Sequence, residues 1–184
     1  MPSSFKCSPM TEPRVILLNE SKDESGSLEK LEAHQKGLLH KAFSVFIFNH
    51  KGELLMQQRA DEKYHSGGLW TNTCCGHPEP GESTAEAAKR RLLEEMGITA
   101  ELAYGFEFTY KSQLDNGLTE HESDDVFYGI SDQKPNINPA EARDWKYLDF
   151  AIIEADLSVN PHLYTEWFKI CFEKVKTQIL PKLS

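Results

Sequence analysis

One stretch of this chain, GHPEPGESTAEAAKRRLLEEMGI, constrains the fold more than any other, because it joins a glycine-containing loop to a helix that ends at a glycine. The stretch runs from Gly76 to Ile98. From Ser83 onward six residues recur at helical spacing. They are Ala87, Ala88, Arg91, Leu92, Glu95 and Met96. Gly97 follows the last of them, and glycine at that place commonly ends a helix. The sequence therefore predicts a loop, a helix and a second loop.

The predicted helix carries two arginine–glutamate pairs at four-residue spacing. Arg90 shares a face with Glu94, and Arg91 shares one with Glu95, so each pair can form an ion pair that aims a carboxylate. Carboxylate oxygens suit Mg²⁺, which in turn bridges phosphate oxygens. An ordinary solvated helix is the alternative for the pairs alone. The spacing of the whole loop–helix–loop stretch favours a functional site.

Composition and charge exclude several classes of function. The chain has 184 residues, of which 39% are hydrophobic, and this is enough for a full-sized core. Its formal net charge of −9 has the wrong sign for broad contact with nucleic acid phosphates. No apolar stretch approaches the roughly 20 residues that span a bilayer, and the N-terminus lacks the apolar segment of a secretory signal. We expect neither a nucleic acid nor a membrane partner.

The cysteines favour a reducing compartment. Cys74 and Cys75 are neighbours and Cys7 lies in a polar segment, so together with Cys171 they make a poor disulfide framework. There is no CxxC pair for a structural zinc ribbon. We expect a cytoplasmic protein, with a weakly ordered lead over residues 1–13 and a single domain over residues 14–184.

Periodicity predicts a mixed α/β domain. AFSVFIFNHKGELLMQQR is a hairpin signal, RVILL reads as a short buried strand, and AELAYGFEFTYKS and SDDVFYGIS as two more strands, separated by a loop that ends in LTEHE. NESKDESGS reads as a polar link, and SLEKLEAHQKGLLHK as helix or loop interrupted at Gly37. The tail from Pro161 to Leu183 is predicted to be one amphipathic helix. Strands flanked by helices follow from this pattern.

The stretch from Gly76 to Ile98 closely resembles the Nudix signature, in which helix carboxylates bind Mg²⁺ next to a diphosphate. One position departs from that signature. The signature has a glutamate directly after its arginine, and this chain has Arg91 at that place. This departure lowers the expectation of ordinary Nudix hydrolysis.

Further segments narrow the resemblance. They are LEKLEAHQKGLLH, QQRADEKYHSGGLWTNTCCGHP, YKSQLDNGLTEHE, ESDDVF and YTEWF. Together they resemble type I isopentenyl-diphosphate isomerase, a family that interconverts isopentenyl and dimethylallyl diphosphate. The TNTCCGHP and EHE motifs are specific to the isomerase rather than to Nudix proteins in general. The resemblance implies an α/β (α+β) fold with a Nudix-like mixed β-sheet core flanked by α-helices.

The resemblance also implies a buried divalent metal held by three histidines and two glutamates. The matching residues are His34, His40, His77, Glu120 and Glu122. This mixed nitrogen and oxygen donor set is acceptable to Mn²⁺, Zn²⁺ or Mg²⁺, so the residue types leave the metal open. Two of the ligands, Glu120 and Glu122, project from one face if their segment is extended.

Substrate-binding residues follow from the same resemblance. Lys30, Arg59 and Lys63 match residues that bind the diphosphate, and Arg90 lies close by in the motif. Glu95 matches the ligand of a Mg²⁺ bound to the diphosphate. Arginine offers a bidentate fork to phosphate and lysine a point charge, so the mixture suits this ligand.

Catalytic residues are implied too. Cys75 and Glu122 match an acid/base pair, with Tyr110 as hydrogen-bond partner of the glutamate, and no redox cofactor is needed. Trp167 matches an aromatic residue that faces a carbocation, although core packing is an equal alternative for a tryptophan on a helix stripe. If the CCGH segment is extended, Cys75 shares a face with the metal ligand two residues on, and Cys74 points away.

Two alternatives remain beside the isomerase interpretation. One is a Nudix hydrolase of an organic or nucleoside diphosphate. The other is a non-catalytic Nudix-fold binding module, which would lack at least one of the metal or acid/base residues. For the isomerase we expect a small-molecule diphosphate as the partner and a monomer as the oligomeric state.

Overall fold

The computed structural model describes residues 12–183, which form nine strands and four α-helices. The strands are β1 (Arg14–Leu18), β2 (Glu24–Glu29), β3 (His40–Phe48), β4 (Leu54–Arg59), β5 (Trp70–Thr71), β6 (Cys74–Gly76), β7 (Ala103–Gln113), β8 (Thr119–Ile130) and β9 (Ala142–Leu148). The helices are α1 (Lys30–Lys36), α2 (Thr84–Met96), α3 (Phe150–Val159) and α4 (Glu166–Gln178). The strands come in runs separated by single helices, and two helices end the chain, in agreement with the predicted mixed α/β class.

Strand β3 is the centre of the sheet. It runs antiparallel to β1, β4 and β6, and parallel to β8. Strand β7 extends the sheet beyond β8, while β5 and β9 both pair with β4 and β2 pairs with β1. The sheet is therefore mixed, with most of its pairs antiparallel.

Two apolar layers cover the sheet, one on each face. On β3, Phe43, Val45 and Ile47 pack in the layer beneath α2, whereas Phe46 and Phe48 pack in the layer beneath α3 and α4. Successive side chains of a strand point to opposite faces, so a strand buried on both sides is apolar throughout. The same alternation decides which side of the sheet each polar residue of the site occupies.

A capping box starts helix α2. The Ser83 hydroxyl accepts a hydrogen bond from the Glu86 backbone N–H at 3.2 Å, and the Glu86 carboxylate accepts one from the Ser83 N–H at 2.9 Å. Gly97 ends the helix with a φ of 65° and donates its N–H to the Leu93 carbonyl at 2.9 Å. A Cβ at this glycine would lie 2.6 Å from the Asn136 carbonyl oxygen, so no larger residue fits there. Both ends of the motif helix are thus fixed by local sequence.

Replacing Ser83 with alanine removes the side-chain acceptor at the start of α2. We expect the free energy of unfolding to fall by about 1 kcal/mol. Urea denaturation followed by circular dichroism measures the change. Ser158→Ala is the matched control, because that exposed hydroxyl donates to the Glu154 carbonyl inside α3 and caps nothing. The control should shift stability by less than about 0.5 kcal/mol, and equal losses in the two variants would contradict the capping role.

The C-terminal segment differs from the sequence prediction. The single helix predicted over Pro161–Leu183 is wrong, because α4 begins only at Glu166. Thr165 is extended, and its hydroxyl donates to the Thr71 hydroxyl of β5 at 2.9 Å, which ties the chain before α4 to the sheet. At the other end Pro181 lies in a short 3₁₀ turn, since proline cannot continue an α-helix without breaking its hydrogen bonds.

Other boundaries were also missed. The polar segment predicted as a link contains the first four residues of β2. The side chains of this strand are mostly exposed, so it carries no apolar period that marks a strand. The loop predicted to end in LTEHE is shorter, because β8 already begins at Thr119. Strand β9 and helix α3 were not predicted. Residues 1–11, which make up most of the predicted lead and include Cys7, lie outside the described residues. Between residues 12 and 183 no helix is long and apolar enough to cross a membrane.

Candidate active site

A cavity of about 710 Å³ collects most of the predicted site residues. Those that line it are Lys30, Arg59, Lys63, Cys75, His77, Arg90, Glu95, Glu120, Glu122 and Trp167. Three more predicted site residues are buried and contact side chains of this lining. They are His34, His40 and Tyr110. The volume suits a small organic ligand.

Four of the predicted metal ligands converge. One donor atom from each of His34, His40, His77 and Glu122 lies within 4.8 Å of all the others. The Nε2 atoms of His40 and His77 are 3.2 Å apart, and Glu122 Oε1 lies 2.7 Å from the second of these and 3.4 Å from the first. Ligand atoms about 2.1 Å from one ion are about 3 Å apart at right angles. This buried His/Glu group can therefore bind a divalent metal.

Backbone carbonyls fix the orientation of two of these imidazoles. His34 Nδ1 lies 2.7 Å from the Lys30 carbonyl oxygen, and His40 Nδ1 lies 2.8 Å from that of Leu38. A carbonyl only accepts, so each Nδ1 carries the proton and each Nε2 keeps a lone pair. Among the described residues the buried His34 Nε2 has no hydrogen-bond partner. A metal would satisfy this nitrogen.

Burial favours the neutral form of His34 and His77, which is the form that binds metals. The pKa of His34 falls to about 4 and that of His77 to about 3, with burial as the main cause and the positive charge of Lys30 as a contributor in both cases. Burial alone would raise the pKa of Glu122, but its contacts with His77 and His40 hold it well below its usual range. The cluster thus offers lone pairs and one carboxylate at neutral pH.

Glu120 joins the cluster through Tyr110. The Tyr110 hydroxyl lies 2.8 Å from Oε2 of both Glu120 and Glu122, so its one proton serves two carboxylates. The strand register places Tyr110 on β7 directly opposite Glu122 on β8, and the two glutamates project from one face, as alternation requires. Burial and the charge of Glu122 raise the pKa of Glu120 to about 8.

His65 is a neighbour of the cluster that sequence reasoning missed. Donor atoms of His34, His65 and Glu120 all lie within 4.8 Å of one another. The His65 side chain is 6% exposed, and burial lowers its pKa to about 2. The residue sits in the polar loop YHSGG, at no spacing that relates it to the EHE or CGH motif. Its position two residues after Lys63 was the only available signal.

Asp124 is a second residue that was not predicted. It lines the cavity and is fully buried, and Ser44 donates its hydroxyl hydrogen to Oδ2 at 2.8 Å. The other oxygen, Oδ1, has no hydrogen-bond partner among the described residues. Burial and the charge of Glu122 raise its pKa well above the usual range. The signal was present in the sequence, because Asp124 lies two residues after Glu122 on an alternating strand.

Two of the predicted diphosphate-binding residues, Lys30 and Arg59, have no carboxylate partner within residues 12–183. Arg59 is 7% exposed, its Nη2 donates to the His65 carbonyl at 3.2 Å, and its buried Nε has no partner within residues 12–183. Lys30 is half-buried, and its Nζ lies 5.3 Å from the ring centre of Tyr64. Burial lowers the pKa of Lys30, and the charges of Lys63 and Arg59 lower it further. An anion placed between these cations would supply the missing charge.

The other two predicted diphosphate-binding residues, Lys63 and Arg90, already have acidic partners. Lys63 pairs with Glu141. Arg90 donates from Nε and Nη2 to the two oxygens of Glu82, at 2.8 Å each, and this pair joins the start of the motif to its helix. Arg90 therefore has an ion-pair partner within its own motif, and it also lines the cavity.

Glu95, the predicted Mg²⁺ ligand, is buried and held from two sides. Arg91 Nη2 donates to its Oε1 at 2.6 Å, and Gln57 Nε2 donates to its Oε2 at 3.0 Å. Arg91 also lies 3.1 Å from Glu141 Oε1. The residue that departs from the Nudix signature thus brings a positive charge to the carboxylate where the signature would have a second negative one.

The adjacent cysteines lie on opposite sides of the sheet. Cys74 is buried in the layer beneath α2, whereas Cys75 lines the cavity with His77 and packs against the layer beneath α4. The register of β6 places Cys75 opposite Ser44 of β3. Burial raises the pKa of the Cys75 thiol to about 12, and the charge of Arg59 is the main opposing influence.

Trp167 lines the cavity at the start of α4, although only 3% of it is exposed. Its indole N–H donates to Asn72 Oδ1 at 3.3 Å, and the guanidinium carbon of Arg59 lies 5.2 Å from the ring centre. The residue also belongs to the apolar layer beneath α4. The Trp167 side chain thus packs in the core and also lines the site.

Comparisons with known proteins define the class. Residues 38–168 match the NUDIX domain family. The crystal structure of DR0079 from Deinococcus radiodurans superposes with a TM-score of 0.67 at 18% identity, covering 80% of this chain and 90% of that one. The MutT protein from Methanosarcina mazei Go1 gives a TM-score of 0.62 at 21% identity, covering 75% and 93%. These likenesses concern the fold, which is that of NUDIX domain proteins.

Two curated relatives narrow the class to a family. The isopentenyl-diphosphate Delta-isomerase of Pectobacterium atrosepticum is 50% identical over 167 residues, which are 91% of this chain and 92% of that protein. Isopentenyl-diphosphate Delta-isomerase 1 of Aromatoleum aromaticum is 51% identical over 164 residues, covering 89% and 93%. The chain belongs to the isopentenyl-diphosphate Delta-isomerase family, and the resemblance carried by its CCGHP and EHE motifs is confirmed.

Proposed function

We propose that this chain catalyses the reversible interconversion of isopentenyl diphosphate and dimethylallyl diphosphate. One observation carries the proposal. Lys30 and Arg59, cations without a carboxylate partner in residues 12–183, line the same cavity as the ionisable pair Cys75 and Glu122. A diphosphate head group satisfies the cations, and the ionisable pair transfers protons.

The reaction moves a double bond from C3=C4 to C2=C3. It adds one proton at C4 and removes one from C2, so no electrons are gained or lost overall. Protonation first creates a tertiary cation at C3. The site therefore needs an acid, a base and a group that stabilises positive charge without attacking it.

Cys75 and Glu122 are the proposed acid/base pair. Burial favours the thiol form of Cys75, while contacts with His77 and His40 favour the carboxylate form of Glu122. The pair thus holds one proton to give and one site to accept a proton. Tyr110 donates a hydrogen bond to Glu122 at 2.8 Å and fixes the carboxylate in place.

Trp167 is the proposed stabiliser of the cation at C3. A π-face attracts a cation by about 0.5–2 kcal/mol and offers no nucleophile. The hydrogen bond to Asn72 holds the ring, and Arg59 lies against it. Arg59 is also a proposed diphosphate ligand, so its contact with the Trp167 ring fixes the position of the ring relative to the head-group site.

The donor set fits the metals that the family implies. His34, His40, His77, Glu120 and Glu122 would hold one buried divalent ion, and Glu95 would bind a Mg²⁺ on the diphosphate. When bound, these ions supply positive charge that offsets the charge of the phosphates and carboxylates. Mn²⁺, Zn²⁺ and Mg²⁺ all remain compatible with three imidazoles and two carboxylates.

Purified protein supplied with isopentenyl diphosphate and Mg²⁺, plus Mn²⁺ or Zn²⁺, should form dimethylallyl diphosphate. In D₂O the product should contain deuterium, because the transferred proton comes from groups that exchange with solvent. Nuclear magnetic resonance detects both changes, and metal-free protein is the control. If no metal combination yields product or deuterium exchange, the proposal is wrong.

Hydrolysis of an organic or nucleoside diphosphate is the competing activity. Release of phosphate or nucleotide from a substrate panel would favour it. Arg91 speaks against it, because this residue replaces a signature carboxylate and instead pairs with Glu95. A non-catalytic binding module is disfavoured as well, since none of the metal or acid/base residues is missing from the sequence.

A further inference from the structure

We propose that His65 is an additional ligand of the buried divalent metal in this chain, beside the five residues that the family resemblance implies. This role rests on the metal site proposed above and concerns a residue that the resemblance does not assign. His65 lies in the loop between β4 and β5 and is almost fully buried.

The distance between His65 and Glu120 favours a shared ion over a direct hydrogen bond. His65 Nε2 lies 3.7 Å from Glu120 Oε1. Hydrogen bonds from nitrogen to oxygen span about 2.7–3.2 Å, so this contact is too long to be one. Two ligand atoms that each lie about 2.1 Å from one ion are about 3.0–4.2 Å apart, depending on the angle between them. The observed separation falls inside that range.

His34 connects His65 to the rest of the metal site. Its Nε2 is buried and has no hydrogen-bond partner within the described residues. His34 belongs to two groups of residues, and in each group one donor atom from every member lies within 4.8 Å of the others. One group is His34, His40, His77 and Glu122, and the other is His34, His65 and Glu120. His34 is therefore common to both groups, and Glu120, one of the implied ligands, shares the second group with His65.

The backbone of the loop fixes the position of His65. Directly after it, Ser66 and Gly68 have φ values of 53° and 76°. A Cβ at Gly67 would lie 2.4 Å from the Asp61 carbonyl oxygen, so only glycine fits there. Arg59 donates to the His65 carbonyl at 3.2 Å, which ties the loop to the end of β4. The imidazole is therefore held by a tight turn beside the cluster.

Ring contacts complete the surroundings of His65. Its ring centre lies 4.5 Å from that of Tyr64 and 6.0 Å from that of Trp167, with nearly perpendicular planes in both cases. Nδ1 lies 3.3 Å from the Ser66 hydroxyl. These contacts support the ring on its sides and leave Nε2 as the nitrogen that faces Glu120.

The test measures binding of Zn²⁺ alone, without substrate, by competition with a chromophoric chelator. His65→Gln should weaken binding at least tenfold, an effect that even loss of an outer-shell partner commonly reaches. X-ray absorption of the zinc-loaded protein should show one coordinated imidazole fewer than in the unchanged chain. His162→Gln is the matched control, because His162 is exposed on the short turn between α3 and α4 and belongs to neither donor group, and it should leave both values unchanged.

His34→Gln serves as the positive control and should weaken Zn²⁺ binding strongly. If His65→Gln binds Zn²⁺ within twofold of the unchanged chain, or loses affinity without losing an imidazole from the zinc shell, His65 is not a ligand. Circular dichroism of the metal-free variants checks folding, and His65→Asn replaces the glutamine variant if that one does not fold. Isomerase activity is not part of the readout, so failure here is separate from failure of the proposed function.

Discussion

Cys75→Ala should lower kcat by about 10²–10⁴-fold, whereas Cys74→Ala should keep most of the activity of the unchanged chain. The range is that of a positioned general acid or base. A group that acts only on the transferred proton leaves the binding of the diphosphate intact, so KM should change little. Steady-state isomerisation of isopentenyl diphosphate measures both constants.

The structural basis is the alternation of strand β6. Cys75 lines the cavity, and the charge of Arg59 acts on its thiol. Cys74 is fully buried in the layer beneath α2, on the other side of the sheet. The two variants remove the same atom from neighbouring residues, so they form a matched pair. Equal losses of kcat in folded proteins would show that the cavity cysteine has no special role.

This distinction was available from the sequence because it depends only on a strand period of two. The same period predicted that Glu120 and Glu122 share a face, and the register of β8 against β7 places both beside Tyr110. The helix of the motif was equally accessible, since Ser83 and Gly97 fix its ends through local hydrogen bonds. Local rules therefore predicted the elements that carry most of the candidate site.

Other features depend on contacts that sequence periodicity does not encode. His65 approaches the metal cluster because a tight turn and a hydrogen bond from Arg59 direct its loop. The polar strand β2 forms because its backbone pairs with β1, although its side chains are mostly exposed. The break before α4 follows from the hydrogen bond between Thr165 and Thr71, residues far apart in the sequence. Tertiary pairing decides each of these cases.

Glu122→Gln should lower kcat by about 10²–10⁴-fold, as expected for Cys75→Ala, even at saturating metal concentration. The two oxygens of Glu122 have different neighbours. Oε1 faces the imidazoles of His77 and His40, at 2.7 and 3.4 Å, whereas Oε2 accepts the hydrogen bond from Tyr110. A glutamine keeps the shape of the side chain but loses the negative charge and the ability to take up a proton.

Glu120→Gln separates metal binding from proton transfer, because Glu120 shares the Tyr110 hydrogen bond but is not the proposed base. We expect it to weaken Zn²⁺ or Mn²⁺ binding about 10–100-fold while kcat at saturating metal stays within about tenfold of the unchanged chain. Chelator competition gives the affinity, and isomerisation over a metal titration gives kcat.

If excess metal restored full turnover to the Glu122→Gln variant, Glu122 would be a ligand only, and the base would have to be another group of the cavity. Asp124 is the first candidate for that role, since it follows on the same face of β8 and its Oδ1 has no hydrogen-bond partner among residues 12–183.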